Sequence, residues 1–352
     1  MALLAEVAVG SARDELVAAV GRDPEGARHD ALTVIETLRT AEATSAALGV
    51  WASEDLELDP RWVASLPDGV VGTLTDQVAL DDWCRRQTHG QILEFPARIR
   101  PETLALLASA LMVKTAWEQE FHGWDLAPVD GPWAGCRFQS VSRQTPDLGD
   151  VAVLDGGVTR VRVAGVDDVD VRLVIGDDRM SPAAVLAHGL DNDAAGKPGS
   201  ALAVGYRAPG LEVFESDWDE ADCVELTVPA FEISSRHDLL TTPELFGLQS
   251  ATDDTRGHFP GMSAKPLAIG AAVQDVRAAF SDKGFEAAAV TALPMGPGAA
   301  WPRYPRPARV IYVRLDRPFG IVAVHRPTGL ALVAGWVAEP PDPSPDPFAD
   351  ET

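Results

Sequence analysis

Apolar residues are spaced as in helices near the start of this chain and as in strands over much of its second half. Ser11 followed by Asp14 and Glu15 is a helix-start signal, and the helix it opens is expected to end at Gly21. Leu32, Ile35 and Leu38 set a second helical stripe, and Ser45 to Ala52 alternates as a strand does. Asp76 to Thr88 reads as a helix carrying Val78, Trp83 and many charges. The run from Leu104 to Val113 is almost wholly apolar; its alanine and leucine content favours helix, while a strand covered on both faces would look the same. Propensity alone makes it a helix.

From Val151 onward strands dominate: Val158 to Val163, Val169 to Ile175, Val224 to Val228 and Ile311 to Leu315. The glycines at Gly156, Gly157 and Gly165 separate the first of these as a meander requires. Helices are predicted at Ala183 to Leu190 and Asp238 to Leu245, so the class is α+β with mainly antiparallel strands. Asp191 to Glu220 is polar and acidic and is read as a surface excursion within one domain. Pro340 to Thr352 is proline-rich and acidic and is expected to be a disordered tail.

One segment breaks both periods. Gly284 to Ala292 is rich in small residues, and Pro294, Pro297, Pro302, Pro305 and Pro307 follow, so neither a helix nor a central strand can continue there. A long exposed loop over about 284–309 is predicted. The β-patterned stretch behind it is too short to hold a core of its own, so the loop belongs to the domain before it. Long loops inside compact domains are usually functional or disordered.

Composition narrows the functional classes. A formal charge of −24 argues against nucleic acid or an anionic membrane as partner, since both need a basic surface. The 46% apolar content is ample for a core, and no stretch of about eighteen uncharged apolar residues suggests a membrane helix. Cys84, Cys136 and Cys223 are scattered and read as small core residues. No Gly-x-Ser-x-Gly segment presents a nucleophile, so the chain does not read as an enzyme. Cys84 with His89 lacks a second ligand pair, and Asp191-Asn192-Asp193 before Gly196 has Leu202 where a calcium loop needs glutamate. Gly196-Lys197-Pro198 lacks the rest of a phosphate loop, so no metal or cofactor is expected. Glu6 and Arg13 interrupt the N-terminal apolar run, which is not a secretory signal. With Met1 as the true start the protein is expected in the cytoplasm; a start further upstream would allow an extracellular one.

Several motifs occur together in a familiar order. Gly284-Phe285-Glu286-Ala287-Ala288-Ala289 resembles the reactive-loop hinge of the serpins, a family of serine protease inhibitors. Arg317-Pro318-Phe319, His325-Arg326-Pro327-Thr328-Gly329 and Gly335-Trp336-Val337 are similar to the last two serpin strands. Leu107 to Ala110, Lys114-Thr115-Ala116-Trp117-Glu118 and Phe121 resemble a strand of the family's central sheet, which overrides the helical propensity of that run. Trp83 with Thr88 to Ile92, Glu225 to Phe231, His237-Asp238-Leu239 with Leu245 to Leu248, and Phe259 to Ser263 extend the likeness over most of the chain.

The resemblance, closest to a bacterial and N-terminally shortened member, implies a single serpin-like domain over residues 1–340. Its fold would be a large central mixed sheet with overlying helices, a second packed sheet and an exposed reactive-centre loop, followed by a tail at 341–352. It further implies a monomeric suicide inhibitor, cut by a serine protease and inserting the cut loop as a new strand. The alternative is a non-inhibitory protein of the same fold, binding or structural in role, whose loop is cut without trapping the protease. Counting from Gly284 as the family does places the scissile bond at Gly298-Ala299, which favours an elastase-like or subtilisin-like target; Arg303 is a trypsin-like candidate. Trp117 would sit at the breach at the top of the central sheet, and Ser109 and Gln274 stand where the family has its shutter asparagine and histidine. Phe285 replaces a threonine or serine. In an inserted strand it would share a face with Ala287, Ala289 and Thr291, at a cost on the order of 1–3 kcal/mol where the core has no room.

Overall fold

The computed structural model describes residues 1–90, 92–285 and 307–341. The chain forms two compact units, Met1–Met112 with Ser234–Arg277 and Val113–Ile233 with Ala278–Thr352.

In the first unit, helices precede and flank a small sheet. The helix Gly10–Val20 starts one residue before Ser11, without a side-chain cap, and ends as expected at Gly21, whose φ of 72° is the left-handed conformation that glycine adopts freely. Pro24–Thr40 carries the second predicted stripe and is capped by Asp23, whose carboxylate accepts from the Gly26 N–H at 2.9 Å. Asp76 caps Gln77–Gln87 in the same way, accepting from the Ala79 N–H at 2.9 Å. Leu16 of the first of these helices packs with Leu3, Trp62, Val50, Leu248, Phe259 and Met262 in one buried cluster. A second cluster sets Leu80, Cys84 and Phe95 beside Trp51 and Trp83, whose rings meet edge to face at 5.0 Å.

The helical propensity of the 104–113 run is overridden. Ala105–Val113 is a strand, hydrogen-bonded beside Thr44–Ala52, which pairs in parallel with Val71–Thr73 on its other edge. Side-chain propensity is a weak term against pairing with a neighbouring strand. The predicted helix at Asp238 to Leu245 is also corrected: it is two short 3₁₀ turns, Leu239–Thr241 and Pro243–Phe246. Pro243 has no N–H and pushes Thr242 out of the helical region, to φ −138° and ψ 62°.

The second unit is built on two six-stranded sheets. One runs in the order Gly196–Pro198, Val151–Leu154, Val158–Ala164, Val169–Ile175, Phe319–His325, Leu330–Val337, antiparallel throughout. Gly156 and Gly157, at φ 96° and 82°, turn its first hairpin. Phe319–His325 is buried at every position, because helix Pro182–Leu190 covers one face, with Gly320 close under Leu186, and the other sheet lies on the opposite side. The second sheet has the order Arg207–Ala208, Leu211–Ser216, Ala308–Arg314, Cys223–Pro229, Phe138–Thr145, His122–Leu126. The two share a core in which Trp133 meets Phe138 of one sheet and Phe319 of the other, at 5.7 and 6.2 Å. The mixed α+β class is as the sequence implied, and among the described residues the strands are grouped by hydrogen bonding into several sheets. The acidic excursion after Asp191 contributes three of these strands, Gly196–Pro198, Arg207–Ala208 and Leu211–Ser216.

Candidate functional site

The predicted hinge enters a sheet. Ser281 to Lys283 form a tight turn, closed by the Ser281 N–H donating to the Gly284 carbonyl at 3.0 Å, and Gly284–Phe285 returns as a two-residue strand. It lies between two others: Phe285 is in register with Phe280 on one side and with Thr115 on the other, while Gly284 faces Ala116. Glycine is required at 284 because a Cβ there would stand 2.3 Å from the Thr115 carbonyl oxygen. Phe285 is buried, with 2% of its surface exposed. The ring that the resemblance marked as costly is therefore already housed in the uncut chain.

Around the hinge stands an aromatic cluster. Trp117, buried, donates its indole N–H to the Ser281 carbonyl at 2.8 Å, which fixes the turn leading into Gly284. Its ring packs on Phe280 at 4.7 Å and on Phe121 at 5.9 Å, and Phe280 stacks on Phe231 at 5.6 Å. The Phe121 N–H donates to the Asp282 carbonyl at 3.3 Å, so the same turn is held from two directions. Of these residues the sequence motifs marked only Trp117 for a site role. Phe231 was visible as the end of the Glu225 to Phe231 motif, but nothing local showed that four rings from three segments would converge.

Beneath Phe121 lies a charged network that periodicity gave no sign of. The Arg143 guanidinium sits 5.0 Å from the centre of the Phe121 ring and 3.7 Å from the Asp150 carboxylate, and both charged groups are buried. Asp150 also accepts from Arg162 at 3.0 Å, and Asp147 lies nearby across Arg162 at 3.5 Å. Burial raises the Asp150 carboxyl above its ordinary value, with Arg162 and Arg143 working against that shift, and burial lowers Arg143. Arg162 also reaches Asp170 at 3.7 Å, and Arg326 joins Asp170 to Glu118, one residue beyond Trp117. The Glu118 N–H donates to the Ala164 carbonyl at 3.0 Å and Trp117 bridges Gly165, which ties the strand beside the hinge to a hairpin of the antiparallel sheet.

The other predicted site residues are placed differently. Ser109 and Gln274 both lie in the first unit, and both are exposed. Glu286, Ala287, Ala288 and Ala289, and the scissile-bond candidates Gly298, Ala299 and Arg303, lie outside the described residues. Where the chain is described again, Ala308–Arg314 is an inner strand. Asp191 and Asn192 are engaged in local structure, Asp191 accepting from the Asp193 N–H at 2.9 Å and Asn192 donating to the Gly329 carbonyl at 3.0 Å. Among the described residues no helix is long and apolar enough to cross a membrane.

Comparison with known proteins gives this geometry a context. The family model for serpin (serine protease inhibitor) matches residues 212–340. The native state of the thermophilic serpin Tengpin superposes with a TM-score of 0.71 at 16% identity, covering 96% of this chain and 85% of that one. Thyroxine-binding globulin in complex with thyroxine gives 0.69 at 18% identity, covering 97% and 90%. Native protease nexin-1 with heparin gives 0.66 at 14% identity, covering 96% and 89%. None of the curated proteins matches the chain. Identities this low carry the fold alone.

Proposed function

We propose that this chain, which has the serpin fold and a serpin family match over residues 212–340, inhibits serine proteases as a suicide substrate. The protease serine attacks a peptide carbonyl in the segment after Phe285; the C–N bond breaks, the new amine leaves with a proton, and an acyl ester links the two proteins. The freed segment then continues the strand already begun by Gly284–Phe285, and the attached protease is carried with it before water can release it. The chain supplies bait and a place for the strand, not catalysis.

One observation carries this reading. Gly284–Phe285 is already seated between Phe280 and Thr115, which supports a reading in which insertion continues from a strand already begun. The residues that follow, Ala287, Ala288 and Ala289, are small enough to extend a strand between neighbours. Gly298-Ala299 is the proposed scissile bond for an elastase-like or subtilisin-like protease, with the chain acting as a monomer. Cleavage after Arg303 leaves a longer tether and gives plain substrate behaviour.

The test is incubation with active trypsin-like, elastase-like and subtilisin-like enzymes followed by denaturing electrophoresis. A covalent complex with a new N-terminus at Ala299 is expected. Cleaved product alone with all three enzymes would reject inhibition and favour the non-inhibitory, binding or structural reading; thyroxine-binding globulin in complex with thyroxine has a similar fold.

A further inference from the structure

The outer edge of a sheet presents unpaired backbone N–H and C=O groups, and chains blunt such edges with charge, proline or brevity. Among the described residues the two six-stranded sheets have four outer edges. Gly196–Pro198 is three residues long and holds Lys197 and Pro198, and Arg207–Ala208 is two residues long and opens on a charge. His122–Leu126 carries Asp125, which pairs with Arg137 at 2.8 Å. Leu330–Val337 has none of these guards. It is eight residues of Leu, Ala, Val, Gly and Trp, with no charge and no proline, in a chain whose formal charge is −24.

This strand is firmly backed on its inner side. It is bonded to Phe319–His325, from Phe319 opposite Val337 to His325 opposite Leu330. The register skips Leu332, a bulge that takes the first residues out of regular pairing and leaves Val333–Val337 as an unbroken run. By alternation Ala334 and Trp336 share one face: they stand opposite Val322 and Gly320, and Trp336 packs on the cluster of Val158, Val174 and Val185. Val333, Gly335 and Val337 take the other face, where a Cβ on Gly335 would stand 2.6 Å from Ile233 Cδ1. Ala334 is exposed.

We propose that Val333–Val337 pairs antiparallel with the same segment of a second copy of this chain, about a two-fold axis at Gly335. The segment is self-complementary in that register. Val333 meets Val337, Ala334 meets Trp336 and Gly335 meets Gly335, so a small side chain lies beside the indole on one face and β-branched residues pair on the other. An uncharged row is also where two chains of −24 can meet without opposing like charges. The residues after Val337 are a poor occupant for the same edge, because they are rich in proline, which has no N–H to give a ladder. The pairing does not depend on how the segment after Phe285 is read. Five residues a side bury far less than the roughly 1,200 Å² of a standard interface, so dissociation is expected at about 10–100 µM. Single chains therefore prevail at the lower concentrations at which a protease is titrated.

The test follows the full chain in reducing buffer from about 1 to 500 µM by sedimentation velocity, with amide hydrogen exchange measured at both ends of that range. The parent is expected to pass from one chain to two, with exchange over Val333–Val337 slowing at the higher concentration. Ala334→Glu sets a carboxylate beside the partner's indole and a second carboxylate diagonally across the axis, and should weaken association at least about ten-fold. Ala334→Val keeps the row apolar and should associate as the parent does. Far-UV circular dichroism and melting temperature confirm that both variants fold, as the exposure of Ala334 leads one to expect. A parent that stays monomeric to 500 µM overturns the proposal. A dimer that leaves exchange at Val333–Val337 unchanged, or that Ala334→Glu forms as readily, places the contact elsewhere and overturns it too. Growth past two chains would mean head-to-tail pairing with a different edge and would reject the two-fold.

Discussion

Phe285 offers the sharpest quantitative test of the hinge. Its ring is buried in the uncut chain and its backbone is paired on both sides, to Phe280 and to Thr115. Truncating it to alanine loses the transfer free energy of the ring and leaves a cavity, together about 3–5 kcal/mol for a buried phenylalanine. Unfolding entropy of roughly 2.1 cal/mol/K per residue, spread over the whole chain, converts this to a drop in melting temperature of about 4–7 °C. Differential scanning calorimetry of Phe285→Ala against the parent measures it. Because the ring is already buried before cleavage, its accommodation is expected to add no fresh cost at insertion. Phe285→Thr is therefore expected to leave the number of inhibitor molecules consumed per protease trapped within about two-fold of the parent. A cost of 1–3 kcal/mol incurred at insertion would instead slow that step by about five-fold to over a hundred-fold, and the threonine variant would relieve it. A melting change below about 1 °C for the alanine variant, or a several-fold lower consumption ratio for the threonine variant, would refute the argument.

Other expected outcomes follow from the same geometry. Trp117→Phe leaves the Ser281 carbonyl without its indole donor and should cost about 1–3 kcal/mol, read as faster amide exchange at Ser281 and Phe121 before any change at the Val169–Ile175 strand. Asp150 has its carboxyl raised by burial against the pull of Arg143 and Arg162, with Asp147 also near. The folded state therefore holds this proton more tightly than the unfolded chain, and that contribution is present below the ordinary carboxylate range and lost as pH rises through the folded value. The melting temperature of the parent relative to Asp150→Asn should accordingly fall as pH is raised from about 4 to 7; a difference that grows with pH would overturn the assignment. The Cys84 and Cys223 thiols are pushed up to about 11, first by burial, so iodoacetamide at mildly alkaline pH should label half-exposed Cys136 first. Peptide mass spectrometry over time would show the order.

The hinge and the charged network beneath it form one continuous set of contacts. Trp117 holds the Ser281 turn, Phe121 lies between Trp117 and Arg143, and Arg326 connects Glu118 with Asp170. A buried guanidinium with one ion pair at 3.7 Å, a hydrogen bond to the Arg162 carbonyl at 3.4 Å and an aromatic face beside it is a costly arrangement unless it specifies geometry. Here it fixes the height at which Phe121 supports the turn. This explains why an arginine stands on an otherwise inward-facing position of Phe138–Thr145.

By itself the sequence determined the features that depend on residues a few positions apart. Asp76 and Gly21 mark helix ends because a cap needs only the next turn, and alternation in Val158 to Val163 and Val169 to Ile175 marks strands because side chains there point to opposite faces in turn. The ordered motifs from Lys114 to Val337 carried the fold, since together they sample most of its strands. Tertiary structure decided the rest. Whether Leu104 to Val113 was helix or strand depended on a ladder to Thr44–Ala52, and whether Phe285 was a burden or an anchor depended on Thr115, 170 positions away in the chain. Arg143 found Asp150 and Phe121, and Leu211–Ser216 found Ala308–Arg314 about a hundred residues later, inside a stretch whose acidic composition read as a surface excursion. Backbone pairing and burial are set by neighbours in space, and a one-dimensional period carries no information about which distant segment will supply them.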